Sequence, residues 1–381
     1  SYAALTLTSL TISDATTSVT LGGALTTDAA ASITSGGTIV QNAALTAGTT
    51  LTLNAEGGVD LNQNVTSAGA TVVDTDTGDD GTGDFDLAAS KAFTTTNNTL
   101  QITSNDIILA GTLSSGSSTT TLLVSDGGTI GVGDTSGNMS ISKAELQNIT
   151  ASTLTIGGSS GTGNITVDNL VTANTGNISA TLALVTNSNI SFSSNASAFT
   201  PGMDVDAGGT IAIDVGLTGT TFDIDGTGVT TIASAGDINA SGAVAFGAAK
   251  SGTLTTSGDI DTSNDNITFT RAVTLGGNVD IDTTGGSAGN ILFSAAIATG
   301  GNNLALDAGT AGNVTLSGAL TGGGAMTVRD GAAQSYAALT VDSLDIQDAT
   351  TSVTLGGALT VSGAVNIDSG DTIAINAAIN T

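Results

Sequence analysis

Residues 335–361 read SYAALTVDSLDIQDATTSVTLGGALTV, and residues 1–27 read SYAALTLTSLTISDATTSVTLGGALTT. The two stretches agree at 22 of 27 positions without a gap, Ser1 answering Ser335 and Thr27 answering Val361. The sequence between them is degenerate and rich in Gly, Thr, Asn and Asp, broken into short strand-like runs. A chain that returns to its own beginning is a window onto a periodic object. The spacing predicts a repeat protein whose role is carried by its surface or its mechanics.

Composition narrows the class. The chain has 381 residues, 53 of them Gly, with one proline (Pro201), no His, Cys or Trp, and 3% aromatics. Only 10% of residues are charged, well below ordinary globular usage. Polar low-complexity sequence of this kind is also compatible with disorder. The recurrent aliphatic residues argue against that, because they supply apolar surface to bury. The formal charge of −28 comes from 33 acids set against Lys91, Lys143, Lys250, Arg271 and Arg329. Such a field repels nucleic acid and anionic membranes, which are bound through Lys and Arg. No apolar run reaches the length of a membrane span. Without cysteine there is no disulfide framework. The absence of an initial Met or leader is read as a fragment or a mature product.

Two periods are superimposed. The short one is strand alternation, as in Leu51-Thr-Leu-Asn, Val279-Asp-Ile-Asp and Val365-Asn-Ile-Asp, with aliphatics on one face and Thr, Asn or Asp on the other. The long one is a motif beginning A-[VIL], which starts at Ala272, Ala296, Ala319, Ala338 and Ala358, with successive gaps of 24, 23, 19 and 20. Units at Ala24 and Ala44 stand 20 apart. Several short strands in each such period predict an all-β fold: a parallel β-solenoid with coils of about 19–24 residues. The reading is a single continuous solenoid over 1–381, open at both ends, in which about 17 coils rising ~4.8 Å each make a rod of about 80 Å. A sandwich or barrel competes, but those folds favour more aromatics and hairpin turns. Val, Ile, Leu and Ala fill a narrow interior, and the eight Phe read as interior fillers or inter-coil stacks. Thr covers the outside, and Gly and Asn turn the corners because they accept φ > 0. Pro201 belongs at an edge or in a loop. One segment has helical character: Ser142-Lys-Ala-Glu-Leu-Gln-Asn148, where Ser142 and Glu145 have capping-box spacing.

The stretch ISKAELQNITASTLTIGGSSGTGNITVDNL at 141–170 resembles a recurrent segment of filamentous-haemagglutinin-like bacterial surface proteins. GNILFSAAIATGGNNLALDAGTAGNVTLSGALTGGGAMTV at 289–328 is similar to the bulk repeats of that group. The resemblance implies a right-handed parallel β-helix displayed outside the cell by two-partner or autotransporter secretion and serving as an adhesin stalk. Neither a secretion domain nor a translocator barrel is visible in this sequence.

The densest acidic cluster lies at 74–86, read as an acidic loop insertion carrying Asp74, Asp76, Asp79, Asp80, Asp84 and Asp86. Six carboxylates interleaved with Gly are candidate oxygen ligands for Ca²⁺. The EF-hand register fails, since from Asp74 position five is Gly78 and position six Asp79. The alternative is a solvated corner insertion. Asp282, Asp307, Asp330 and Asp368 each follow a strand. Stacked on successive coils they would repel one another; pointed apart they would not. Catalysis finds little footing, because without His or Cys there is no nucleophile–base pair. The cations are scattered, and the Gly322–Gly324 run precedes a strand rather than a helix, unlike a phosphate loop. Two functions follow as expectations. One is an extracellular structural fibre or repeat segment of a giant surface protein, joined to itself head to tail, laterally or as covalent tandem repeats. The other is an adhesin passenger that binds a host or neighbouring cell.

Overall fold

The computed structural model describes residues 4–247, 250, 252–284 and 289–380. It divides into two compact units: 1–190 with 199–201, and 191–198 with 202–381. Each is a β-solenoid of stacked parallel strands, and the two together make about 18 turns.

In the opening coils of the first unit each turn carries three short strands. The strand Leu5–Leu7 is followed by Leu10–Ala15 and Val19–Leu21, and the next coil begins at Leu25–Thr27. Leu5 pairs with Leu25, Leu25 with Leu45 and Leu45 with Val65, so every step is one coil and these coils are equal in length. Leu25, Leu45 and Val65 are buried, while Thr6, Thr26, Thr46 and Thr66 form the neighbouring ladder on the outside. Alternation within a strand selects the face, and equal spacing between strands selects the partner.

The second unit reproduces the long period of the sequence residue for residue. Val273, Ile297, Leu320, Leu339 and Leu359 pair in that order, each one position after the alanine that opens its motif. From Ala4 and its equivalent Ala338 onward the two copies each make one turn, closed by Leu5 on Leu25 in one and by Leu339 on Leu359 in the other.

All eight Phe are buried. Phe246, Phe269 and Phe293 occupy one register position on successive coils. Their rings stack with centroids 5.2 Å and 4.3 Å apart. In-register pairing places like rings directly over one another, which suits offset aromatic stacking. Corners use the same device with polar groups: Asn290 N–H donates to Asn266 Oδ1, Asn313 N–H to Asn290 Oδ1 and Ala333 N–H to Asn313 Oδ1, all within 2.9–3.0 Å. Gly322, Gly323 and Gly324, all at positive φ, turn the chain before the strand Ala325–Val328. A Cβ on Gly324 would lie 2.1 Å from the Asn302 carbonyl oxygen, so that corner requires glycine. Pro201 sits in a bend, just before the strand Gly202–Ala207.

The helical segment forms a five-residue helix, Lys143–Gln147, with a complete capping box. It also has a use that the spacing did not suggest. A five-stranded sheet of the first unit ends at the strand Ile107–Leu109. Glu145 Oε1 accepts the Leu109 N–H at 3.0 Å, and Asn148 Nδ2 donates to the Leu109 carbonyl at 3.0 Å. The helix therefore satisfies the backbone groups of a sheet edge that would otherwise be unpaired.

Two consequences are measurable by chemical denaturation with hydrogen-exchange readout. Phe269→Ala empties the middle of a three-ring stack and should cost about 3–5 kcal/mol, whereas Thr274→Ala, on the exposed face, should stay within about 0.5 kcal/mol. Glu145→Ala removes a helix cap and an edge cap together and should cost about 1–3 kcal/mol, with faster exchange concentrated at Leu109 and residues 142–148.

Candidate functional site

The acidic segment of the first unit is split between strands and a turn. Asp74 ends the strand Thr71–Asp74, and Asp86 lies within the strand Phe85–Leu87. The turn between them carries Asp76, Asp79, Asp80 and Asp84. Asp76 is fully buried, and its carboxylate holds the turn together. It accepts from Asp80 N–H at 3.2 Å, Gly81 N–H at 2.9 Å and Ser125 Oγ at 2.7 Å. Asp84 accepts from Asn105 Nδ2 and from the Asp106 N–H. Asp80 is engaged by the Thr82 hydroxyl, and Asp79 adopts a left-handed backbone at the tip. Asp86 faces out and pairs in register with Asp60 on the coil before it. Burial first, then Asp60 and Asp84, pushes the Asp86 carboxyl up; burial likewise raises Asp74. The six carboxylates thus sit in different surroundings and serve different partners. Among the described residues no group of three acidic side chains converges in a metal-holding arrangement.

The turn after Thr119–Val124 and the segment that follows Ile149–Gly158 reach the same place as this acidic turn. Together they enclose an open depression of about 270 Å³, floored by Thr103, Leu123 and Val124 and rimmed by Asp79, Asp126 and Ser160.

The second unit carries a longer acidic array. Asp261 pairs with Asp282 and Asp282 with Asp307 on successive coils. Beside them Asp259 N–H donates to Asp237 Oδ1 at 2.9 Å and Asp280 N–H to Asp259 Oδ1 at 2.8 Å. Arg329 closes the far end, held by Asp280 and by Asp307 at 3.3 Å. Of the four post-strand acids, Asp282 and Asp307 stack, and burial, then the charges of Asp307 and Asp348, pushes the Asp330 carboxyl up. Asp368 follows Ile367, which pairs with Ile346, so it continues the column of Asp282 and Asp307 with Arg329 and Gln347 standing between. Asp237, Asp259 and Asp280 were not singled out from sequence, although each follows the last by one coil period.

This array sets the electrostatics of the face. Burial, followed by the charges of Asp282, Asp280, Asp259 and Asp237, pushes the Asp261 carboxyl up to about 6. All five cations are occupied locally. Lys91 donates to Gln63, Lys143 pairs with Asp134, Lys250 with Asp206 and Arg329 with Asp280 and Asp307. Arg271 is buried, 3.5 Å from Asp225, and donates to Thr230 Oγ1 and to the Ile224 carbonyl. They therefore build no basic surface. Among the described residues no aromatic ring is exposed.

The chain matches no protein-family model, no curated protein and no solved structure.

The sign of the pH response follows from Asp261. Its folded-state pKa lies above its ordinary value, so the folded form holds the proton more tightly. Its favourable contribution is complete below about pH 4 and is lost as pH rises through about 6. Thermal melts should therefore shift upward on going from pH 7 to pH 5. Asp261→Asn should raise stability at pH 7 by about 1 kcal/mol after solvent screening and flatten that shift. Added salt at pH 7 should reproduce part of the gain.

Proposed function

We propose that the chain is a structural repeat segment of a long extracellular β-solenoid, a fibre or stalk of a cell-surface protein. The observation that carries this reading is the duplicated coil: Ser1–Thr27 recurs as Ser335–Val361, each copy closing one turn in the same register. A repeat with this register gives tandem units a common way to stack, and its use is length and spacing. The composition fits display outside the cell, being free of cysteine, strongly acidic and covered by Thr, Asn and Asp. The reading is non-enzymatic. The five cations each serve a local acid or amide, and the carboxylates are distributed along ladders.

Adhesion is the second reading, favoured by the long turns gathered around the depression at Asp79, Asp126 and Ser160. Insertions confined to one side of a solenoid are a common way to build a binding face on a regular scaffold. With no aromatic ring exposed among the described residues, a ligand there would be held by hydroxyls, carboxylates and backbone rather than by ring stacking.

Electron microscopy of native material, with and without a calcium chelator, tests both. Extended fibres with an axial repeat are the expected result. Discrete particles no longer than one chain would overturn the fibre reading and leave adhesion. Fibres that loosen on chelation would bring Ca²⁺ in, with Asp74–Asp86 and the Asp261 array as the ligands to mutate first.

A further inference from the structure

Strands of the form Asp-x-Asp stack in register twice in the second unit. Asp204 pairs with Asp223 and Asp206 with Asp225, making one grid of carboxylates. Asp259 and Asp261 stand beside Asp280 and Asp282, making another. The first grid is neutralised from within the chain. Lys250 pairs with Asp206, and Arg271, two coils along, lies back across the stack to Asp225. Gly247 leaves room for that crossing, since a Cβ there would stand 2.3 Å from Arg271 Nε. The second grid is neutralised at one end only, where Arg329 holds Asp280 and Asp307. Among the described residues, Asp237, Asp259, Asp261 and Asp282 pair with no Lys or Arg.

A cleft opens at that unneutralised end. Thr218 pairs with Asn239 and Asn239 with Asp261, so the outward column that becomes Asp282 and Asp307 begins with a hydroxyl and an amide. The turns beside it are short. Two residues separate the strands Leu217–Gly219 and Phe222–Gly226, and three separate Ile238–Ala240 and Val244–Phe246. The open space at this corner, about 270 Å³, is lined by Thr218, Asn239, Ser241, Asp261 and Ser263. None of these five side chains hydrogen-bonds to another described residue. Asn239 thus differs from the corner residues Asn266, Asn290 and Asn313, whose Oδ1 atoms each take an N–H of the next coil. A cleft whose charge is all of one sign concentrates counter-ions. Its volume is below that of a drug-sized site and suits a narrow flexible chain.

We propose that this cleft binds a linear polyamine, with one ammonium group held by Asp261, Asn239 and the Ser241 hydroxyl and the next over Asp282. Ammonium groups separated by three or four methylenes stand close to one coil rise apart, ~4.8 Å, so successive charges of such a chain meet successive rungs of the column. The external amine takes the place that Lys250 and Arg271 fill on the other grid. A metal ion is a poorer occupant, because Asp237 and Asp259 each commit one oxygen to a backbone amide and no three acids converge among the described residues. A neutral sugar would leave the repulsion along the column unrelieved. The proposal goes beyond the fibre and adhesion readings and depends on neither.

Calorimetric titration of the full chain with spermidine at pH 7 and low salt tests it, with hydrogen exchange locating the site. Exchange should slow at 217–221, 238–243 and 260–265 and stay unchanged in the first unit. Asp261→Asn and Asn239→Ala should each weaken binding about fivefold. Asp28→Asn, an equal change of charge in the first unit, should leave it unchanged. Binding should also weaken as pH falls from 7 to 5, because burial and the charges of Asp282, Asp280, Asp259 and Asp237 push the Asp261 carboxyl up to about 6. Asp261→Asn relieves repulsion, so its loss of binding would not reflect unfolding. Equal weakening by Asp28→Asn would mean a diffuse counter-ion cloud and overturn the proposal. So would undiminished binding to Asp261→Asn and Asn239→Ala. Ca²⁺ protecting the same amides at lower concentration than spermidine would assign the cleft to a metal, and tighter binding of acetylated tri-lysine would assign it to a basic polypeptide; either overturns the proposal.

Discussion

In-register stacking of like residues is the constraint on which the rest of this structure depends. Once strands pair in parallel with a coil-length offset, every side chain sits over its counterpart one coil away, about 5 Å distant. Apolar positions gain from this without limit of length, because each new coil buries the aliphatic rung of the one before. Stacked Phe rings and Asn corner ladders follow from the same geometry. The fold asks little of any one residue. It requires only that an inward position remain apolar and that a corner remain able to turn, which is why a degenerate Gly/Thr/Asn/Asp sequence suffices.

The same constraint makes charge expensive. An acid placed outward on one coil is harmless, but repeated on the next it meets itself. The second unit shows the result in Asp237, Asp259, Asp261, Asp280, Asp282 and Asp307, where repulsion and partial burial act together on Asp261. Relief comes from backbone amides, which Asp237 and Asp259 accept from the following coil, and from Arg329 at the far end. The outward ladder of Thr6, Thr26, Thr46 and Thr66 in the first unit repeats just as strictly with no electrostatic cost. The acids are therefore the costly choice, and their column is where solvent conditions act on this protein.

How much was readable beforehand depended on whether the signal was periodic. The recurring A-[VIL] motif gave the pairing of Val273 through Leu359, because each gap between motifs is one strand register. The capping box at Ser142 and Glu145 gave the helix, since that signal is local. The use of the helix was not readable: Glu145 meets Leu109 only after a turn of solenoid has brought them together. The acidic cluster is divided by the fold for the converse reason. Proximity in sequence suggested one site for Asp74–Asp86, yet alternation and the turn send Asp76 inward and Asp86 outward. In a solenoid, residues one coil apart are closer neighbours than residues a few positions apart on opposite faces. The Asp237–Asp259–Asp280 column was present in the coil spacing and invisible to a search for local density.

That inversion of near and far also explains where irregularity is tolerated. Lengthening a turn leaves the stacked strands in register, provided the insertion leaves and returns at the same corner. The step from Val65 to Phe93 is longer than a regular coil, because the turn carrying Asp76 to Asp84 has been let out, and the coil above it returns to the regular length at Leu113. The step from Leu113 to Ile149 is longer again, and it holds the helix. In both cases the inward rung continues unbroken from Val to Phe to Leu to Ile. Regular coils supply stiffness and a repeat distance, while let-out turns supply the places where one coil differs from the next. That inward rung stays aliphatic or aromatic at every step, so it is in the turns and the outward columns that one coil departs from the next.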